Sequence, residues 1–484
     1  MFNIVELIRE ETSDFHGKTA VAGRHSEISY KELFSSVEGL SSVLRENGVR
    51  PTDRVALLCA DGMDYISAAL GAVAAGATVV PVSPFLADPE MENLLKRMET
   101  VFLVADRSPG SPDIRKELLS TLDGIENKLS LYKLSAEDTF PAEYRKMNPA
   151  FIRFSSGTTG NSKGVLLSHE KILERISCAN KALRVTPDDT IFWVLSMSFH
   201  FVVSIILFLR NAATILLCDK AFPESLLQLS HTHPATLMYA SPLHYRTLAS
   251  SKDIPRSAVS GMRLAVSTAT SLSENVASAF AARFGLRLSS AYGIIEAGLP
   301  FIDICPDLSH AGSVGRILPD YSAFIKDPDS TGTGQIMIRG PGMFDAYCSP
   351  WKNASETLCD GWFDTGDMGK MDDNGYLYIS GRRNDVINFA GMKVFPYEIE
   401  AVVNSHPAVK ESLAYGISRP NYGQLPAVKI VLENSSATDD IKHELRRYCY
   451  RRLAAYKTPK QFTFCKSLQR TASNKLTRTT QHKQ

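Results

Sequence analysis

Eight cysteines occur in 484 residues without one Cys-x-x-Cys pair. That absence argues against a zinc site and a disulfide framework, and it suits a reducing cytoplasm. A secretory start is missing as well: Met-Phe-Asn-Ile-Val-Glu has neither the basic residues nor the apolar run of a signal peptide. No fixed-period repeat, low-complexity tract or Gly-Lys-Ser/Thr run of a Walker loop is present. His231 and His233 flank one threonine, but no third ligand stands near, and both read as loop residues. One stretch, Ile191 to Leu209, is long enough to cross a bilayer and carries no formal charge other than a possible one on His200. Ser196, Ser198, His200 and Ser204 interrupt it, so it reads as buried core and no membrane span is expected.

What is present describes a globular chain of two or more domains, with 44% hydrophobic and 22% charged residues. Ser29-Tyr-Lys-Glu32 is a capping box. Leu33, Val37, Leu40 and Leu44 follow at helical spacing until Gly48. Val55–Cys59, Ala77–Val82 and Val101–Ala105 are continuous apolar runs, with a helical stretch over Tyr65–Ala75. Such alternation predicts α/β layers on a largely parallel sheet. Charge is uneven: residues 441–484 hold twelve Lys or Arg against Glu444 alone, so with a total of +1 the other 440 residues sum to −10. A basic segment is a solvated face, a nucleic-acid patch or a docking surface for an acidic or phosphorylated partner. No nucleic-acid motif accompanies it, so nucleic acid is the weaker reading.

Residues 155–164, Ser-Ser-Gly-Thr-Thr-Gly-Asn-Ser-Lys-Gly, concentrate glycines that let backbone amides approach an anion. Ser155, Ser156, Thr158 and Thr159 add hydroxyl donors, and Lys163 adds a mobile cation. The segment reads either as a phosphate cradle or as a polar surface loop.

With Phe151-Ile-Arg-Phe before it and Val165-Leu-Leu-Ser-His169 after it, this loop resembles the phosphate loop of the adenylate-forming superfamily. That superfamily includes acyl- and aryl-CoA synthetases, luciferases and peptide-synthetase adenylation domains. Ser162 stands where the usual form has proline. Further motifs resemble the family in order. Phe199-His200 is similar to the aromatic–His pair beside the acyl pocket. No carboxylate follows it to hold an amine, so an uncharged acyl or aryl chain is expected. Arg263-Leu-Ala-Val-Ser267 and Thr268-Ala269-Thr-Ser-Leu272 are similar to the strand and small-residue loop near adenine and acyl group, with Ala-Thr-Ser in place of Gly-Ala-Pro. Ala291-Tyr292-Gly293-Ile-Ile295-Glu296 resembles Tyr-Gly-x-Thr-Glu. The likeness implies that Tyr292 stacks on adenine and that Glu296, with Thr159, holds Mg²⁺. Ile295 replaces a threonine whose hydroxyl faces the α-phosphate and the substrate carboxylate, which removes one donor.

Asp360-Gly-Trp-Phe-Asp-Thr-Gly-Asp367 resembles the motif whose last aspartate accepts the ribose hydroxyls. Read locally, it is an acidic turn ahead of a hairpin at Asp373-Asn-Gly375. Gly381-Arg382-Arg-Asn384-Asp-Val-Ile-Asn resembles the interdomain motif, with Arg382 on ribose or phosphate and Asn384 at the hinge position. Gly391 falls where relatives approach the incoming thiol. Leu468 to Lys475 resembles the terminal Pro-Arg-Thr-x-x-Gly-Lys motif, with Asn474 for glycine. Lys475 would meet the carboxylate and the α-phosphate.

The resemblance spans about residues 15–478 and implies an α/β fold of the adenylate-forming type. It comprises a large multi-layer N-terminal α/β domain (1–380), a hinge (381–385) and a small mobile α+β domain (386–484). It implies an ATP- and Mg²⁺-dependent carboxylate–thiol ligase that forms an acyl-adenylate and then an acyl thioester. Thr159, His200, Glu296 and Lys475 would be its catalytic residues. Nucleotide would be bound by Ser155, Ser156, Gly157, Thr158, Thr159, Gly160, Lys163, Ala291, Tyr292, Gly293, Asp367, Arg382 and Lys475. Phe199, His200, Thr268, Ala269, Ile295 and Gly391 would line the substrate pocket. The thiol is coenzyme A or the phosphopantetheine of an acyl carrier protein, and the basic C-terminal segment suits either. A non-catalytic nucleotide-binding relative, motivated by Ile295, and a nucleic-acid-binding protein stand as alternatives.

Overall fold

The computed structural model describes residues 1–108, 116–136, 139–154, 163–389, 392–419, 423–433, 439–470 and 476–477. Near the N-terminus the capping box forms as the sequence requires. The Ser29 hydroxyl accepts from Glu32 N at 3.2 Å and the Glu32 carboxylate accepts from Ser29 N at 2.8 Å, which opens the helix Tyr30–Glu46. Leu33, Val37, Leu40 and Leu44 are its buried stripe. Strands Arg54–Leu58, Thr78–Pro81 and Phe102–Ala105 lie parallel, and every residue in them is buried. Burial on both faces is why they read as unbroken apolar runs.

Among the described residues the large domain holds two nine-stranded sheets. One orders Trp351–Asn353, Ala346–Cys348, Gly164–Ser168, Pro149–Phe154, Thr78–Pro81, Arg54–Leu58, Phe102–Ala105, Lys128–Leu134 and Lys116–Asp123. The other orders Arg316–Ile317, Gly298–Ile302, Leu288–Ile294, Leu264–Ser267, Leu237–Ala240, Thr190–Trp193, Thr214–Leu217, Thr19–Ala22 and Glu27–Ser29. A single apolar core joins them, with Val55, Phe151 and Val165 from the first sheet and Ile191, Trp193, Tyr239 and Val266 from the second. Helices Met63–Ala74 and His169–Leu183 contribute to this core. A four-stranded antiparallel sheet ends at Leu377–Arg382. The smaller C-terminal domain wraps helices Pro396–Asn404 and Asp439–Tyr450 on a sheet built around Val409–Arg419 and Gly423–Leu432. Arg246 Nη1 donates across to Lys410 O at 2.8 Å, tying the two domains together.

The apolar run 191–209 is interior. It divides into the strand Thr190–Trp193, a short helix Met197–His200, a single turn and the helix Ile205–Arg210, whose apolar residues are buried. Among the described residues no helix is long and apolar enough to cross a membrane. The loop reading of the histidine pair needs correction at His231 alone, since His233 lies in a bend past the helix. His231 closes the helix Glu224–Thr232 and His233 caps it, with Nε2 at 3.2 Å from Glu27. The basic segment is also less bare than its sequence suggests. Lys457 pairs with Glu398 at 2.8 Å, and Arg470 pairs with Glu411. Acids from the preceding strands and helix neutralise part of that charge.

Candidate active site

Antiparallel strands Phe363–Met371 and Leu377–Arg382 meet at a tight turn in which Asp372 accepts from Asn374 N at 3.0 Å and Tyr376 N at 2.9 Å, with Gly375 at φ +79°. Asp367 therefore sits inside a strand rather than in the turn. Register sets it opposite Arg382, whose Nε lies 3.0 Å from Asp367 Oδ1. The strand Leu288–Ile294 delivers Tyr292, and its hydroxyl donates to Asp367 Oδ2 at 2.6 Å. Burial, reinforced by the Asp367 charge, raises the Tyr292 phenol well above its ordinary value and keeps it a donor. Asp367 is 6% exposed, so a carboxylate here is held by one charge-assisted hydrogen bond from Tyr292 and one ion pair with Arg382.

Glu296 follows on the same strand pair. Its Oε1 accepts from Tyr347 OH at 3.0 Å, and Lys163 Nζ stands 4.5 Å over the Tyr347 ring. Burial raises the Glu296 carboxyl, against which the Tyr347 hydrogen bond and the Arg382 and Lys163 charges pull. The backbone beside it is clamped. Buried Arg175 donates from Nη1 to Ile295 O and from Nε to Gly342 O, both at 3.0 Å, and Phe344 N donates to Glu296 O at 2.8 Å. Gly293 has a local reason of its own: a Cβ there would stand 2.5 Å from Gly298 O across the hairpin.

Phe199 and His200 are half-buried in the short helix Met197–His200, whose first amide donates to Asp61 Oδ1 at 2.7 Å. The His200 ring meets Trp193 edge-on at 6.4 Å, and Trp193 stacks on Tyr239 at 6.0 Å and 18°. Beside Tyr239 on the same strand, Ala240 O accepts from Thr268 N at 3.0 Å. Ala269 has φ +72°, and Thr270 N donates to Thr268 O at 2.9 Å across it, a strained γ-turn beside the expected pocket.

The structure thus brings Tyr292, Asp367 and Arg382 into one cluster and Glu296, Tyr347 and Lys163 into another. The Arg382 charge acts on both Asp367 and Glu296. Ala291, Thr268 and Ile295 lie along the same strand ends, with Ala291 and Thr268 buried. Asn384 is exposed in a short turn Arg383–Asp385 after the last strand of the four-stranded sheet. Ser155, Ser156, Gly157, Thr158, Thr159, Gly160, Gly391 and Lys475 lie outside the described residues. The strands flanking the loop pair with Phe154 opposite Gly164, so its two ends are held together. Sequence reasoning passed over Tyr347, Arg175, Asp61 and Trp193, because none stands in a motif or at a telling spacing. The donor set fits its ligands by chemistry. A partly buried carboxylate beside cations suits a hard divalent ion that keeps phosphate and water oxygens, and a doubly braced aspartate suits a vicinal diol.

Comparison with known proteins bears on the whole chain. A sequence model described as AMP-binding enzyme matches residues 8–348, and one described as AMP-binding enzyme C-terminal domain matches residues 398–475. A long-chain-fatty-acid–CoA ligase of Bacillus subtilis (strain 168) is 25% identical, covering 98% of this chain and 92% of its own. Benzoate–CoA ligase of Thauera aromatica is 25% identical over 96% of this chain and 92% of its own. The structure of ATP-bound MatB from Rhodopseudomonas palustris superposes with a TM-score of 0.84 at 26% identity, covering 98% of this chain and 97% of that one.

Proposed function

Because this chain belongs to the AMP-binding enzymes and is with them an ATP-dependent acid–thiol ligase, we propose that its two side-chain clusters and the loop 155–164 form one nucleotide site. The observation that carries this reading is Asp367, held at 2.6 Å by Tyr292 and at 3.0 Å by Arg382 beside Glu296. Asp367 accepts the ribose hydroxyls, Tyr292 braces it and lies against adenine, and Lys163 with the loop hydroxyls and amides neutralises the phosphates. Glu296, with Thr159, would hold Mg²⁺, which when bound offsets phosphate charge. Phe199, His200, Thr268 and Ala269 border the acyl chain.

In the first half-reaction the acid's carboxylate oxygen attacks the α-phosphorus, pyrophosphate leaves, and Lys475 stabilises the developing charge. The domain of residues 386–484 then turns about 381–385, with Asn384 in the moving turn, and presents Gly391 to the adenylate. A thiol sulfur attacks the acyl carbon, its proton is lost, and AMP departs with the bonding pair. Coenzyme A is the thiol this reading takes. Eight unpaired cysteines suit a reducing cytoplasm.

ATP–pyrophosphate exchange tests the reading, run with acetate, octanoate, benzoate and amino acids on wild type and Lys475→Ala. Exchange with one acid class, abolished in the variant, is expected, and CoA or a carrier protein added afterwards identifies the acceptor. Persistent exchange in Lys475→Ala refutes the assigned role. Silence with every acid, relieved by Ile295→Thr, marks a degenerate site.

A further inference from the structure

Two arginines enter the core near Glu296, and they are used differently. Arg175 is 1% exposed and spends its donors on the carbonyls of Gly342 and Ile295. Arg153, 8% exposed on the strand Pro149–Phe154, has a buried Nε without a hydrogen-bond partner, and among the described residues no ion pair forms on its guanidinium. The hydroxyl of fully buried Tyr65 is likewise unpartnered.

Tyr65 borders the segment that carries His200, and Arg153 follows on the strand from a second residue that does. The Phe201 ring lies 5.6 Å from Tyr65 and 5.8 Å from Phe151, two residues before Arg153. Tyr65 and Glu296 both lie near enough to act on the Arg153 guanidinium. Burial, and Arg175 nearby, lower it to about 10, which leaves it a cation at neutral pH. A buried donor without a partner costs about 1–3 kcal/mol and a buried unpaired charge more, so such a group persists where something else completes it.

We propose that Arg153 binds the carboxylate of the acid substrate. The proposal rests on the ligase reading above and adds a residue to it. A carboxylate entering beside Glu296 and Asp367 meets two like charges, and Ile295 offers no donor to offset them. The guanidinium fork matches a carboxylate in shape and charge. Its surroundings are the aromatic side chains next to His200, whereas Lys163 and the loop serve the phosphates.

The test uses the full chain as wild type, Arg153→Met and Arg153→Lys. Exchange kinetics are read against acetate, octanoate or benzoate and, separately, against ATP, with melting curves recorded for free protein and for each acid added with MgATP. In Arg153→Met the KM for the acid rises roughly tenfold or more and the KM for ATP stays within about twofold. The acid-induced rise in melting temperature disappears, the free protein melts no lower than wild type, and Arg153→Lys is intermediate. An unchanged KM for the acid, a rise confined to the KM for ATP, or a free variant that melts well below wild type would each overturn the proposal; the last two make Arg153 a phosphate ligand and a structural counter-ion respectively. If wild type exchanges with no acid, the ligase reading fails separately. The melting arm then decides: an acid-induced shift lost in Arg153→Met sustains the assignment, and no shift in wild type ends it.

Discussion

Replacing Gly342 by alanine sets a methyl group against the backbone of the helix His169–Leu183. A Cβ at that position stands 2.7 Å from both the N and the Cβ of Arg175 and 2.9 Å from its Cα, and those atoms belong to a buried helix that cannot yield. Gly342 also has φ +66°, a left-handed backbone that costs an L-residue about 1–2 kcal/mol. Forced overpacking adds about 1–3 kcal/mol. Alanine restricts the unfolded chain and returns about 0.4–1 kcal/mol. The expected net loss is therefore about 1–4.5 kcal/mol. Gly342 also receives Arg175 Nε at 3.0 Å and donates its own N–H to Glu174 at 2.6 Å, so the displacement reaches the arginine that holds Ile295 O. Exchange activity should fall along with stability as Glu296 loses its fixed backbone. Urea unfolding gives the first quantity and ATP–pyrophosphate exchange the second. Gly39→Ala is the control, since Gly39 is exposed in the helix Tyr30–Glu46 and its Cβ meets nothing within 4 Å; it should gain about 0.5–1 kcal/mol. A Gly342→Ala protein within about 0.5 kcal/mol of wild type and fully active would refute both the steric estimate and the coupling to Glu296.

Two further outcomes follow from the same geometry. His169 is 2% exposed, accepts from Ile4 N at 3.1 Å through Nδ1, and is lowered to about 4 by burial. The native state therefore binds fewer protons than the unfolded state between the unfolded value near 6.5 and 4. The stability contributed by neutral His169 is fully present above pH 6.5 and is lost as the pH falls toward 4, by at most about 1.4 kcal/mol per unit. His169→Gln should flatten that slope in urea titrations across this window, and an unchanged slope would remove His169 from the account. Ala269→Gly relieves the positive φ, and after glycine's extra unfolded entropy it should stabilise by up to about 1 kcal/mol. A destabilised Ala269→Gly protein would mean that the γ-turn is not strained.

Much of this protein was legible along its chain, wherever the cause is local. The capping box at Ser29, the buried parallel strands, the turn at Asp372–Gly375 and the order of the family motifs all depend on residues a few positions apart. So does the reading of 191–209 as interior, because its serines and histidine break the run into a strand and short helices. Strand order, which no spacing encodes, decided the rest. It set Tyr292 on Asp367 across 75 residues and Tyr347 on Glu296 across 51. Tertiary packing also gave Glu398 and Glu411 to the basic segment as counter-charges. Two arginines of identical chemistry reached opposite states by the same route. Arg175 meets the carbonyls of Gly342 and Ile295, and among the described residues Arg153 Nε meets none, because a hydrogen bond is a property of where two groups arrive in space and the residue type supplies only the donor.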